Sequence, residues 1–231
     1  MKTIGLLGGM SWESTATYYR AINEGIKKNL GGLHSAKILL YSVDFAEIEE
    51  LQHLDRWVET AEILGSAAQR LETGGADFIL ICTNTMHKVA PEIEATIEIP
   101  LLHIADATAE EIKEKDLSTV GLLGTRFTME QDFYKGRLEK EHGIKVLVPG
   151  SEDREIVHQV IYDELCQGII STDSRNEFVR IIKMLYKQGA EAVILGCTEI
   201  ALLVQQEHTN VPLFDTTRIH AKKAVEAAIL C

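Results

Sequence analysis

Short apolar runs alternate along this chain with longer stretches compatible with helix. The runs are Ile4-Gly5-Leu6-Leu7-Gly8, Ile38 to Val43, Phe78-Ile79-Leu80-Ile81, Val120-Gly121-Leu122-Leu123-Gly124, Lys145 to Val148 and Ala192-Val193-Ile194-Leu195. Their length suits strands, and their near-continuous apolarity suits strands covered on both faces of a parallel sheet. Ser14 to Lys28 and Glu130 to Glu141 follow two of these runs as helix-compatible sequence, and Thr60 to Glu72 and Asn176 to Lys187 read as amphipathic helices packed on the sheet. The last two stop at glycines, Gly74 and Gly189.

The pattern occurs twice. Gly75-Ala76-Asp77-Phe78-Ile79-Leu80-Ile81-Cys82-Thr83-Asn84 aligns without a gap with Gly189-Ala190-Glu191-Ala192-Val193-Ile194-Leu195-Gly196-Cys197-Thr198, which sets Thr83 against Cys197 (197 − 83 = 114). Ile4 to Gly8 matches Val120 to Gly124 (120 − 4 = 116), and Ile99-Pro100-Leu101-Leu102 matches Val211-Pro212-Leu213-Phe214 (211 − 99 = 112). A repeat of this size in a βα chain predicts an α/β fold of two pseudo-symmetric lobes, each a parallel sheet flanked by helices. The Pro100 and Pro212 connectors are the natural boundaries, giving residues 1–98 plus 212–231 as lobe one and 99–211 as lobe two. Ligands of open parallel sheets sit beyond the carboxyl ends of strands. The residues after Leu7, Ile81, Leu123 and Leu195 are therefore expected to line a cleft between the lobes.

Charge narrows the function classes. The formal net charge is −12, so a nucleic-acid backbone or an anionic membrane surface is repelled, and a small-molecule substrate is the expected partner. The N-terminal run is too short and too interrupted by glycine for a signal peptide, no run approaches a membrane span, and the expected location is the cytoplasm. Cys82, Cys166, Cys197 and Cys231 stand singly, without metal-ligand or redox spacing, and are expected as free thiols.

The chemistry gathers at the strand ends. Cys197 leaves its strand between Gly196 and Thr198-Glu199, where a following helix would favour the thiolate. Thr83 is followed by Asn84, Thr85 and His87, although Thr83 or Asn84 would also serve as a plain helix cap. The matching loops Gly8-Gly9-Met10-Ser11 and Gly124-Thr125-Arg126-Phe127-Thr128 offer backbone N–H groups and hydroxyls to a carboxylate, without the spacing of a P-loop or a dinucleotide fingerprint. The histidines form no metal-binding pattern, so no metal is expected.

Gly-Leu-Leu-Gly-Gly-Met-Ser-Trp-Glu-Ser-Thr at Gly5 to Thr15, Cys-Thr-Asn-Thr-Met-His at Cys82 to His87 and Leu-Gly-Cys-Thr-Glu at Leu195 to Glu199 resemble the aspartate/glutamate racemase family. The resemblance spans nearly the whole chain, and is nearest to the enterobacterial L-aspartate/glutamate-specific subgroup that carries the threonine variant. It implies a cofactor-independent amino-acid racemase, often a homodimer, without pyridoxal phosphate. Family members commonly place a cysteine after each equivalent strand, as acid and base on opposite faces of the α-carbon. In register with Asn84 and Thr85, the first of these positions falls on Thr83. Cys82, one residue earlier, is expected to face the core.

The roles implied are Cys197 as the base that abstracts the α-proton of an L-amino acid and Thr83 as the donor to the opposite face. Met10, Gln52, Asn84, Thr85, Thr125 and Thr198 are the implied substrate-binding residues. The lysine and arginine that aspartate enzymes of the family tend to carry fall here on Cys166 and near Gln52. A distal carboxylate would then meet Gln52 and backbone N–H groups, or Arg126 or Lys88, and a broader set of amino acids is also open. Hydantoin racemisation, maleate isomerisation and malonate decarboxylation resemble the same layout. A non-catalytic two-lobed ligand sensor is the alternative of another class.

Overall fold

The structure is a computed structural model that describes residues 1–230; the expectation for Cys231 lies outside the described residues. The strands are β1 (Ile4–Gly8), β2 (Ile38–Ser42), β3 (Phe78–Ile81), β4 (Thr119–Gly124), β5 (Lys145–Leu147), β6 (Ala192–Gly196) and β7 (Leu213–Asp215). All ladders are parallel, in two sheets ordered β2-β1-β3 and β5-β4-β6-β7. The α/β fold with two helix-flanked parallel sheets is the one that the repeat predicts.

The chain divides into two compact units, Met1–Ile104 with the C-terminal segment from His220, and Ala105–Ile219. In the first, strand alternation sorts β1 and β3 onto two cores. Leu7, Ile79 and Ile81 pack with Leu64, Ala67 and Ala68 of the helix Trp57–Thr73. Ile4, Leu6, Phe78, Leu80 and Cys82 pack with Tyr18, Ile22 and Ile26 of the helix Trp12–Leu30, and with Ala221, Ala224 and Val225. Each fully buried Leu or Ile contributes on the order of 1.5–3 kcal/mol. In the second unit, Leu123, Val193 and Leu195 pack with Val157 and Ile161, and with Phe178, Ile181 and Leu185 of the helix Thr172–Lys187.

The two sheets repeat each other to the residue. Ile4 pairs with Phe78 as Val120 pairs with Ala192. The Asp77 carboxylate accepts the Thr3 N–H (2.6 Å), and Glu191 accepts those of Ser118 and Thr119 (both 2.8 Å), so each unit ties the start of its first strand to the turn before its third. The Ile79 N–H donates to Pro100 O as the Val193 N–H donates to Pro212 O, both at 2.9 Å.

That last pair corrects the boundaries placed at residues 98 and 212. The proline segments are not exits. Each lies against the edge of its own sheet, β7 as a fourth strand paired with β6 and Leu101 as a single bridge to Ile79. The expected return of the last strand to lobe one does not occur, and only the chain from His220 joins the first unit.

The expected helix Glu130 to Glu141 is two helices, Arg126–Glu130 and Lys135–Lys140, because Gln131 is extended (φ −94°, ψ 152°). Helices Phe45–His53, Ile104–Glu114 and Ser151–Asp163 add to those expected. Among the described residues no helix is long and apolar enough to cross a membrane.

Candidate active site

In the first unit the site is built where β1 and β3 end. Gly9 turns the chain at φ +98°, and a Cβ there would lie 2.3 Å from Val43 O, so the position requires glycine. The Gly9 N–H donates to Thr15 Oγ1 (2.9 Å), the Thr15 hydroxyl donates to Ser11 O (3.0 Å), and Ser11 Oγ caps the helix Trp12–Leu30 by accepting the Ser14 N–H (3.3 Å). Ser14 in turn donates to Cys82 O (2.7 Å), tying this loop to the end of β3. Cys82 is fully buried and its thiol is pushed well up by desolvation, as its inward orientation predicts.

Thr83 comes next and is half-buried, while Asn84, Thr85 and His87 behind it are buried. Asn84 stands at the N-cap of the 3-10 turn Thr85–Val89, yet its side chain makes no capping bond there. His87 holds the turn instead. Its Nε2 accepts the Ile104 N–H (3.2 Å), which leaves the ring proton on Nδ1 for Thr83 O (2.8 Å).

Behind it, His220 Nε2 donates to Leu102 O and Nδ1 accepts from Tyr18, both at 2.8 Å. The rings of His103 and His220 lie 4.6 and 5.8 Å from that of His87. Burial pushes His87 well below its ordinary value, with the neighbouring histidines adding to the effect, and pushes His220 down to about 4. Both rings are therefore neutral near pH 7, in the tautomers that the hydrogen bonds select.

In the second unit the corresponding ends are those of β4 and β6. Thr125 caps the helix Arg126–Glu130 with its hydroxyl on the Thr128 N–H (3.4 Å). Gly124 and Gly196 pair across the sheet, and a Cβ on Gly196 would lie 2.8 Å from Leu123 O. The Thr216 hydroxyl donates to Leu195 O (2.9 Å) just before the site. Cys197 is half-buried between Gly196 and the buried Thr198 and Glu199.

The Cys197 Sγ donates to Glu199 Oε2 at 3.0 Å. The thiol pKa is raised well above its ordinary value, first by burial, then by the Glu199 charge, by Cys166 and by the hydrogen bond to Glu199, against a lowering contact from the Glu199 N–H. This overturns the expectation of a resting thiolate. The helix that follows is only Ile200–Leu203, four residues. So short a helix has little dipole to set against burial and an adjacent carboxylate.

Met10, Gln52, Thr125 and Thr198 are buried, Gln52 in the helix Phe45–His53 and Met10 within the core beside Leu7 and Met86. Of the two candidate cations, Arg126 pairs with Glu155 (2.5 Å), and the Lys88 ammonium lies 3.8 Å from the centre of the Trp57 ring. Glu199, His220 and Tyr18 received no role from sequence reasoning. The signal for Glu199 was its place two residues after Cys197. Nothing in the sequence pointed to the Tyr18–His220 pair. Asp106, Glu141 and His142 have ligand atoms close enough together for a cation, but Arg137 already binds Asp106 with two hydrogen bonds (2.7 and 2.8 Å).

Residues 7–224, which span both of these strand ends, match the family model Asp/Glu/Hydantoin racemase. The chain belongs to this family and is an enzyme of the isomerase class.

Several proteins are similar to it over nearly their whole length. A solved protein of Yersinia pestis, provisionally named an Asp/Glu racemase, is 58% identical, covering 99% of this chain and 100% of its own, with a TM-score of 0.94. An aspartate racemase homologue from Pyrococcus horikoshii OT3 is 37% identical, covering 99% of each chain, with a TM-score of 0.86. The broad specificity amino-acid racemase RacX of Bacillus subtilis (strain 168) is 24% identical over 96% of each chain.

Proposed function

We propose that this chain is a two-base amino-acid racemase that acts without a cofactor on aspartate, glutamate or a broader set of amino acids. Cys197 removes the α-proton of the L-enantiomer, and the Thr83 hydroxyl supplies a proton to the opposite face. The observation that carries this proposal is the position of the two residues. Each is the half-buried residue one step past the buried end of an equivalent strand, β6 for Cys197 and Cys82 after β3 for Thr83, with buried polar residues behind it. The mechanism requires those two ends to address opposite faces of one α-carbon.

The chemistry follows from the residue types. An unassisted hydroxyl is a far weaker base than a thiol, so Thr83 donates more readily than it abstracts. Asn84, Thr85, Thr125, Thr198, and the backbone at Met10 are proposed to bind the α-carboxylate and to stabilise the enediolate-like charge that forms on it. Gln52 is proposed to meet the side chain of the substrate. The relatives support the substrate range: the Pyrococcus protein is named an aspartate racemase homologue, and the Bacillus protein a broad specificity amino-acid racemase. Enantiomers have equal free energy in achiral water. kcat/KM is therefore the same in both directions, and only kcat and KM separately differ.

The test is α-deuterium incorporation in D₂O, screened over the common amino acids with purified protein and no added cofactor. Exchange with racemisation, abolished in Cys197→Ser, is the expected result. Binding of amino acids without exchange would make the chain a sensor, and full exchange in Cys197→Ser would remove Cys197 as the base.

A further inference from the structure

We propose that His87 is a positioning residue for the first half-site: its imidazole holds the Thr83 main chain so that the hydroxyl meets the substrate α-carbon, and it thereby sets how much of the carbanion is protonated with inversion. The inference rests on Thr83 being the donor to the second face. The partners of the ring fix its tautomer. A backbone N–H only donates, so Nε2, which faces the Ile104 N–H (3.2 Å), carries the lone pair, and Nδ1 carries the proton that goes to Thr83 O (2.8 Å). Both ring nitrogens are engaged with main-chain atoms, and only the Nδ1 bond reaches the half-site.

The ring has little freedom to leave these bonds. It is buried, with the His103 ring 4.6 Å and the His220 ring 5.8 Å away, and His220 is itself held by Leu102 O and the Tyr18 hydroxyl. Burial, with the neighbouring histidines adding to it, keeps the imidazole neutral, so both bonds persist around pH 7. Threonine passes the restraint on to its hydroxyl. Its side chain is β-branched and stiff at χ1, so a fixed main chain leaves the hydroxyl few directions. Proton transfer needs a short, aligned contact, and a misplacement of about 1 Å costs on the order of 10²-fold.

The repeat provides the contrast. At the offset that sets Thr83 against Cys197, His87 falls on Ala201 (87 + 114 = 201). There the Cys197 carbonyl takes the Ile200 N–H (3.2 Å), main chain to main chain. The side-chain brace belongs to the half-site with the hydroxyl, which is the weaker acid of the two and the more dependent on its placement. In the proposed cycle Cys197 takes the α-proton as the C–H bond breaks. The carbanion then takes a proton from Thr83, giving the D-enantiomer, or takes one back from Cys197, giving the L-enantiomer. His87 acts on this choice through Thr83 alone.

Two substitutions separate the two bonds. His87→Asn keeps an N–H donor near the place of Nδ1 and gives up the reach to Ile104, whereas His87→Gln keeps an acceptor near the place of Nε2 and gives up Thr83 O. The full chains are incubated in D₂O with L-aspartate, L-glutamate and the other common L-amino acids, and early α-deuterium is assigned to each enantiomer by chiral chromatography with mass spectrometry. The wild type and His87→Asn are expected to share one D-to-L ratio of incorporated deuterium. In His87→Gln that ratio is expected to fall about tenfold, with KM little changed. A merely structural role would lower both enantiomers together. An unchanged ratio in His87→Gln overturns the proposal, and a fallen ratio in His87→Asn does so even where His87→Gln fails to fold. In both of these outcomes the racemase assignment stands. A wild type that incorporates no α-deuterium from any of these amino acids sinks that assignment, and the role of His87 with it.

Discussion

Acid should destabilise the first unit through His220, and the size of the effect follows from its surroundings. The ring is fully buried, donates through Nε2 to Leu102 O and accepts at Nδ1 from Tyr18. Protonation would place a second N–H against the tyrosine hydroxyl and a charge in an apolar core. In the unfolded chain the ring titrates near its ordinary 6.5, whereas in the fold it titrates at about 4. Between those values the unfolded chain binds more protons than the folded one, so stability rises with pH. The contribution is complete above about pH 6.5, is reduced by roughly 2 kcal/mol at about pH 5, and reaches a loss of roughly 3 kcal/mol near pH 4.

Carboxylates also titrate in this window, so the measurement is a difference. Urea unfolding is followed by circular dichroism between about pH 8 and pH 4.5, for the wild type and for His220→Gln, which keeps a donor for Leu102 O but cannot charge. The wild type should lose its advantage over the variant as pH falls, by the amounts above. Parallel curves for the two proteins would show that the folded state accommodates the imidazolium, and the assignment of a neutral ring would be wrong.

Thr83→Cys gives the weaker half-site a thiol and should raise kcat for the D-enantiomer about tenfold or more, with kcat/KM for the two enantiomers still equal to each other, read by chiral chromatography of progress curves. Cys82→Ala should cost about 1 kcal/mol from the small cavity it leaves and leave α-exchange unchanged, since that side chain lies in the core. A loss of exchange without unfolding would contradict its inward orientation. Gly196→Ala would put a Cβ 2.8 Å from Leu123 O and 2.9 Å from Leu122 Cδ1; the strands must part, at a cost of roughly 1–3 kcal/mol in urea unfolding.

The strands were legible because each is an apolar run bounded by polar sequence, and because Ile4 to Gly8 and Val120 to Gly124 repeat. The sheet to which β7 belongs was not. Its membership depends on a backbone bond from the Val193 N–H to Pro212 O, and main-chain hydrogen bonds leave no side-chain signature. The helix Ser151–Asp163 escaped notice because its buried positions are few, Val157 and Ile161. The pair Thr83 and Cys197 was legible through the alignment of the two halves. The state of the thiol was not, because it depends on a helix of four residues and on a glutamate that turns back toward the cysteine two residues before it. The histidine layer behind Thr83 joins Tyr18, His87, His103 and His220, far apart in sequence, and only folding brings them together.

The equality of the two sheets also says where the chain tolerates editing. Strand pairs keep their partners residue for residue, yet β1 to β2 takes 34 steps (38 − 4) where β4 to β5 takes 26 (146 − 120). Differences in length are absorbed in the connections and never reach the strand ends. The stretch around Leu33 lies in the longer connection: Leu33 is fully exposed, and Cβ atoms on Gly31 and Gly32 would touch nothing within 4 Å. It is a ready point for inserting a fluorescent or affinity label that reports on the enzyme without entering its chemistry.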